Sequence, residues 1–301
     1  MRLRHMEIFE AIRRTGSLTD AAASLHVSQP AASKLLANAE AQLGFRLFDR
    51  IKGRLQATAE AEVLAPQIAR LHSELTSVRR LALNLRQGQQ GHLRVGCSPA
   101  LGLGLLPAVV RAVQQDQPHV SFDLHTHHSE ELITGLLTRE LDMIFTFDRS
   151  LHPGVKRMDI GQTELVHIGL PGAPGVKPLS DLQNRNFIAL DARDPSGAAL
   201  HQAMEEAGVE VKIVAQAQTH YVAYALAEAG CGEAVVDLIT GRAMLRPGMM
   251  LRRMAPRIAI PISAMVGSAT PLSKLHESFI DRVQAACRAG EFREGETHLL
   301  R

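Results

Sequence analysis

The segment SLTDAAASLHVSQPAASKLLANAEAQLGFRLFDR, Ser17 to Arg50, constrains the fold of this chain most. Two alanine-rich stretches flank a Ser-Gln-Pro. Alanine buries too little apolar surface to hold an ordinary core helix pair together, so helices built from it are made to pack closely. Ser17 opens a capping box, S-x-x-D with Asp20. The helix it starts ends near Leu25, and His26-Val27 form a turn. Ser28 is an N-cap for the next helix, which tolerates Pro30 in its first turn and is closed after Leu43 by Gly44. A preceding helix, Arg2 to about Arg14, carries Leu3, Met6, Ile8, Phe9 and Ile12 at near-helical period and stops at Thr15-Gly16. Phe48 to Thr58 is basic and turn-like around Lys52-Gly53-Arg54, as in a small β-wing.

Two short helices joined by a tight turn form a helix-turn-helix, whose second helix enters the DNA major groove by its N-terminal end. Small residues keep that surface narrow. Gln29 and Ser33 lie one turn apart on one face; Gln can pair bidentately with adenine, and Ser can bond several base edges. Lys34, Arg50 and Arg54 are placed for phosphates, adding affinity and salt dependence with little sequence information. The competing reading is a helical mini-domain with solvated charges.

Charge distribution leans toward the first. The net charge is only +2, but residues 1–86 hold 13 Lys and Arg against 8 Asp and Glu, a balance of +5, and the remainder stands at −3. A basic head on a mildly acidic body suits a polyanionic partner. No apolar run approaches the roughly 20 residues of a membrane span. Met1-Arg2-Leu3-Arg4 begins no secretory signal, and Cys97, Cys231 and Cys287 are too widely spaced for a disulfide framework or a zinc site. These features predict a cytoplasmic protein without a cofactor.

From Thr58 to about Gln87 a long helix is predicted, with Pro66 imposing a kink or a late start. Leu64, Ile68, Leu71, Leu75, Val78, Ala82 and Leu85 follow a heptad spacing. Such a seam packs either on a second copy of the chain or on its own body. Gly88-Gln89-Gln90-Gly91 forms a hinge. Beyond it, strands are predicted at Leu93–Cys97, Ser121–Thr126, Met143–Phe147, Glu164–Leu170, Phe187–Leu190, Lys212–Ala217, Glu233–Val236 and Ile258–Val266. They alternate with helices at Leu101–Gln115, Glu130–Arg139, Ala198–Ala207, Tyr221–Ala229 and Leu272–Arg288. This rhythm implies an α/β body of parallel sheets covered by helices, of a length better divided into two lobes.

The N-terminal segment resembles the winged helix-turn-helix of LysR-type transcriptional regulators. The resemblance rests on Ala21-Ala22, Leu25, Ser28-Gln29-Pro30-Ala31, Ser33, Glu40, Leu43-Gly44 and Leu47-Phe48-Asp49-Arg50, and it extends weakly to PLSDLQNRNFIAL and ALAEAGCGEAVV. Ala39 stands where the family usually has Leu, and Ala57-Thr58-Ala59-Glu60-Ala61 replaces its Leu-Thr-x-x-Gly. The resemblance implies a winged helix-turn-helix DNA-binding domain at 1–58 and a linker helix and hinge for dimerisation at 59–91. It implies a two-lobed effector domain at 92–301, shaped like a type 2 periplasmic binding protein. Lobe I would comprise about 92–160 and 267–290, and lobe II about 161–266, with hinge strands near Arg149–Gln162 and Ile258–Val266. It also implies a homodimer or homotetramer, double-stranded promoter DNA and a small-molecule effector as partners, with RNA polymerase a further one. DNA contact would fall to Ser28, Gln29, Pro30, Ala31, Ser33, Lys34, Arg50 and Arg54.

In open α/β sheets, ligands sit at the carboxyl ends of strands beside helix N-termini, which suits a carboxylate. The strand map offers Ser98 and Pro99, Thr126 and His127, Thr146, and Gln218 with Thr219. By resemblance, Ser98 and Thr126 fall where an effector's acid group is held; each could equally be a helix cap or a loop hydroxyl. His125, His127 and His128, with His220, invite a metal reading but lack Cys, Asp or Glu at ligand spacing. Cys97 leaves a redox-sensing regulator as an alternative. A small-molecule-binding protein or enzyme on the same body is another, although no G-x-S-x-G, P-loop, dinucleotide fingerprint or H-E-x-x-H is present.

Overall fold

The computed structural model describes residues 1–51, 53–86, 91–169, 175–268 and 271–290. The chain divides into two compact units, Met1–Leu83 and Asn84–Arg301. None of the helices among the described residues is long and apolar enough to cross a membrane.

In the first unit, α1 (Leu3–Thr15) stops at Gly16, whose φ of 67° is the left-handed conformation glycine adopts without strain. Helix α2 (Leu18–Ser24) is capped by Ser17, whose hydroxyl accepts from the Asp20 N–H at 3.3 Å. Helix α3 (Gln29–Leu43) is capped by Ser28, which accepts from the Ala31 N–H at 3.4 Å, and ends at Gly44 with φ 81°. Strands β1 (Phe48–Ile51) and β2 (Arg54–Ala57) form the antiparallel wing. The alanines explain the packing: Ala21, Ala32 and Ala39 are fully buried, letting helix backbones approach around Ile8, Phe9 and Ile12. Phe9 reaches Phe48 with ring centroids 5.5 Å apart and ties α1 to the wing.

Glu40 makes the other tie. Its Oε1 accepts the backbone N–H of Leu47 at 2.8 Å and of Phe48 at 3.4 Å, fixing the entry to the wing. Thr58 accepts from the Ala61 N–H at 3.2 Å and donates to the Arg46 carbonyl at 2.9 Å, so α4 (Ala59–Arg86) begins well before Pro66 rather than after it. The heptad seam is split in use. Leu64 and Ile68 pack into the core of their own unit, while Leu71 is 52% and Val78 61% exposed. The side chains of Ala82 and Leu85 lie outside the described residues.

The second unit comprises β3 (Gly91–Cys97), α5 (Pro99–Gly104), α6 (Leu106–Asp116), β4 (Val120–Thr126), α7 (Ser129–Leu137), β5 (Met143–Thr146) and β6 (Val155–Gly169). These are followed by β7 (Lys177–Pro178), a 3₁₀ turn (Leu179–Leu182), β8 (Asn186–Leu190), α8 (Pro195–Glu206), β9 (Lys212–Ala217) and α9 (His220–Glu228). The unit closes with β10 (Glu233–Asp237), α10 (Leu238–Met244), β11 (Met250–Ala255), β12 (Ala259–Gly267) and α11 (Lys274–Gly290). The strand order is β4-β3-β5-β12-β6-β10-β8-β9. Strand β6, 15 residues long, serves both lobes: its first part pairs with β12, and Leu165–Gly169 pairs with β10 and β11.

Several expectations are corrected here. The sheets are mixed rather than parallel, because β6 and β12 run antiparallel to their neighbours where the chain passes between lobes. Ser263–Val266 pair with β5 and so belong to the first lobe's sheet, not to a second lobe reaching 266. The single helix expected at Leu101–Gln115 is two, broken at Leu105, because Pro107 lacks the N–H that a continuous helix would use. Helix α10 and strand β11 occupy a stretch in which no element was expected; the signal for α10 was Asp237, whose carboxylate accepts from the Thr240 N–H at 2.8 Å.

Candidate functional site: an exposed helix end and an inter-lobe cleft

The cap and the buried alanine fix how α3 presents itself. Ala32 turns inward, fully buried, so Gln29, Pro30, Ala31, Ser33 and Lys34 form an exposed row at the leading end of the helix. Ser28 is exposed too, but its hydroxyl is engaged as the cap. No carboxylate among the described residues pairs with Lys34, Arg50 or Arg54, so these charges are available to phosphate. Register separates the two arginines. Arg50 lies opposite Leu55 on the face carrying Phe48, and Arg54 lies opposite Ile51 on the other face. They therefore present to different sides of the wing.

In the second unit, Ser98 and Thr146 meet at the carboxyl ends of β3 and β5. The Ser98 hydroxyl donates to Thr146 Oγ1 at 3.2 Å, and the Asp148 N–H donates to the same oxygen at 3.1 Å. Both residues are buried. Ser98 and Pro99 share a narrow mouth with Phe147 from their own lobe and with Asp194, Gln218 and Thr219 from the other. Beside the mouth lies a cavity of about 180 Å³ lined by His128, Ser129, Glu131, Asp191, Asp194 and Gln218, among others. Thr126 and His127 do not line this mouth. Thr126 is exposed at the end of the edge strand β4, and His127 lines a separate hollow of about 440 Å³ with His125, Glu130 and Glu131. The rings of His125 and His127 stack at 6.4 Å. Among the described residues no three His, Cys, Asp or Glu side chains gather as a metal site.

The structure adds a buried knot that sequence reasoning missed. Asp194 caps α8, its Oδ1 accepting from the Ser196 N–H at 2.9 Å and the Gly197 N–H at 3.3 Å. Ser196 Oγ also donates to Asp194 and lies 2.6 Å from His220 Nε2. The Asp237 N–H donates to His220 Nδ1 at 2.9 Å, which places the ring proton on Nε2. The carboxylates of Asp237 and Asp194 pull the ring's pKa upward against burial, but a doubly protonated ring would turn Nδ1–H against that backbone N–H. Ser196, His220 and Asp237 follow the order of a hydrolytic triad. Ser196 is nevertheless fully buried and its hydroxyl is spent on Asp194, so the group anchors the N-termini of α8 and α9. Asp-Pro-Ser-Gly at 194–197 is an N-cap signal that could have been read, moving the helix start back from Ala198.

Cys97 is fully buried and desolvation raises its thiol pKa to about 12, the opposite of what thiolate redox chemistry needs.

Residues 3–62 match the family model described as "Bacterial regulatory helix-turn-helix protein, lysR family", and residues 86–288 match "LysR substrate binding domain". The chain is 34% identical to the HTH-type transcriptional regulator DgcR of Pseudoalteromonas sp. over 94% of its own length and 99% of that protein's. It is 30% identical to the transcriptional activator protein LysR of Escherichia coli (strain K12), covering 94% and 92% of the two chains. In fold it is similar to the crystal structure of CbnR, a LysR family transcriptional regulator, with a TM-score of 0.77, 23% identity and coverage of 95% and 99%. Full-length CbnR in complex with its target DNA matches with a TM-score of 0.76 at 23% identity, covering 96% of this chain and 99% of that one.

Proposed function

The chain belongs to the LysR-type family of DNA-binding transcriptional regulators, which are not enzymes, and from that premise we propose how it reads DNA and where its effector binds. Gln29 and Ser33, with Pro30 and Ala31 shaping the surface, read base edges. Lys34, Arg50 and Arg54 hold phosphates, and Ser28 fixes the leading end of α3. The domain roles are DNA reading by 1–58, assembly by 59–91 and effector binding by 92–301. The partners are duplex promoter DNA, further copies of the chain in a dimer or tetramer, and RNA polymerase, all in the cytoplasm. The exposed Leu71 and Val78 support assembly through the second half of α4.

A small carboxylate-bearing effector sits between the lobes, its acid group near Ser98, Thr146 and Thr219. The observation that carries this is the mouth to which one lobe brings Ser98 and Pro99 and the other brings Gln218 and Thr219. Thr219 adds a buried hydroxyl oxygen without a hydrogen-bond partner among the described residues, a group that a ligand would satisfy. Thr126 and His127 flank the site rather than line it. An effector acts by binding one lobe arrangement better than another; about tenfold preference corresponds to ~1.4 kcal/mol of shift.

Two substitutions test the two halves. Gln29→Ala weakens binding at the preferred promoter fragment far more than on random duplex; equal losses on both in gel shifts remove Gln29 from base reading. Ser98→Ala abolishes the effector response while DNA binding persists; full effector affinity by calorimetry in that variant refutes the cleft assignment.

A further inference from the structure

We propose that the effector carries a positively charged amino or amidine group as well as its carboxylate, with Asp194 as the principal partner of that cation and Glu130 and Glu131 facing it. This rests on the reading of the inter-lobe cleft as the effector site. The lining of the cavity is strongly unbalanced: Glu130, Glu131, Asp191 and Asp194 supply four carboxylates, and Arg193 the one guanidinium. That guanidinium is already committed to Asp191, with Arg193 Nη2 2.7 Å from Asp191 Oδ2. A purely anionic ligand entering here meets uncompensated negative charge in a small, partly desolvated space.

The acidic first turn of α7 has a local explanation, since Glu130 and Glu131 complement the helix dipole. Asp194 has one too, as the N-cap of α8, but that role uses only one of its two oxygens. Its side chain is only 10% exposed. Oδ1 takes every bond that caps α8, from the Ser196 and Gly197 backbone and the Ser196 hydroxyl. Oδ2 makes no hydrogen bond among the described residues, and it is not sealed from solvent as the buried orphan atoms are. Burial would make this carboxyl easier to protonate, but the hydrogen bonds it accepts outweigh that and hold its pKa below the ordinary value. A nine-tenths buried carboxylate that lines the cavity, with one oxygen spent and no hydrogen bond to the other among the described residues, is an acceptor awaiting a donor.

The carboxylate end has a different environment. His128, Asp194 and Gln218 line both the cavity and the mouth, so the two spaces share a wall. The mouth carries the Ser98 hydroxyl and the unpartnered Thr219 Oγ1 and, among its lining residues, no acid but Asp194. A ligand lying along this path has its acid group among hydroxyls and its cation among carboxylates. Free amino acids and their close relatives have that polarity.

The test uses the full-length protein and calorimetric titration with free L- and D-amino acids. Each is paired with the carboxylic acid lacking its amine and the amine lacking its carboxylate. An amino acid is expected to bind at least about tenfold more tightly than either truncated form. Asp194→Asn, which keeps a capping oxygen, should weaken it at least about tenfold, the size of one lost charge-assisted hydrogen bond. Glu131→Gln, on the exposed face of α7, should weaken it less and guards against a folding defect at Asp194. If the truncated acids bind as well as the amino acids, and Ser98→Ala alone weakens them, the cation is refuted while the cleft stands. If binding survives Ser98→Ala and Asp194→Asn alike, the cleft reading falls and takes this one with it. Failure of every amino acid to bind also overturns the proposal.

Discussion

Gly104 tests whether the lobes meet as tightly as the structure requires. It ends α5 in the first lobe, against α10 of the second. A Cβ placed on it would lie 2.5 Å from Ile239 Cγ2, 2.9 Å from the Ile239 carbonyl oxygen and 3.4 Å from Ala243 Cβ. Carbon pairs rest at about 3.5–4.0 Å, so Gly104→Ala must open the contact by roughly 1 Å or rearrange α10. The Ile239 side chain can rotate away; its carbonyl cannot, because it belongs to the helix backbone. Overpacking of this kind costs about 1–3 kcal/mol, which for a unit of some 200 residues lowers the melting temperature by about 2–12 °C. If an effector binds the arrangement in which α5 rests on α10, its affinity falls with it, by about 5- to 150-fold. Calorimetric melting of the full-length variant measures the first effect. Ile239→Ala in the same background should recover part of the loss, since it removes Cγ2 but leaves the carbonyl, so the double variant loses less than the two single variants together. A shift of under about 1 °C, or strict additivity of the pair, would refute the claim that this contact sets the lobe spacing.

Three further outcomes are expected. Glu40→Ala should destabilise the first unit by about 1.5–3 kcal/mol in urea unfolding, because it strips a charged acceptor from the Leu47 and Phe48 N–H groups; Glu40→Gln should cost less. Burial pushes the His167 pKa below its usual value, with Glu233 opposing only in part, so the folded chain resists a proton that the unfolded chain accepts. Stability should therefore fall as pH drops below about 6.5, and His167→Gln should flatten that slope in melting curves taken from pH 7.5 to 5. Iodoacetamide at pH 8 should label exposed Cys231 on the native protein and reach fully buried Cys97 only after denaturation, as peptide mass mapping will show.

What the sequence disclosed and what it withheld divide along the range of the interactions. The first unit was legible because its signals are local: Ser17, Ser28, Gly16 and Gly44 start and stop helices through bonds spanning three or four residues. Its alanines carry their own reason, since so small a side chain suits only closely packed helices. The reach of α4 from Thr58 was legible too; only the late start suggested by Pro66 was not met, because Thr58 fixes the helix start through the Ala61 N–H and the Arg46 carbonyl. In the second unit, strands flanked by helices were recognisable by period. The first part of β6 was not recognisable by period and was expected only from the resemblance, since Val155–Gly161 draws its place from pairing with Ile262–Gly267, about a hundred residues later.

The cleft shows the same division at the level of chemistry. Ser98 and Thr219 could be nominated one at a time as residues at strand ends, but their meeting depends on two lobes closing on each other. The acidic wall of the cavity was out of view for the same reason. Counting hydroxyls, imidazoles and helix ends along each strand tip favoured an anion. Only the assembled cavity brings Glu130 and Glu131 from one lobe beside Asp191 and Asp194 from the other. Charge balance in a cavity is a sum over segments distant in sequence, and Asp194 shows the consequence: locally it is a helix cap, and only the assembled fold sets it in one wall with Glu130 and Glu131.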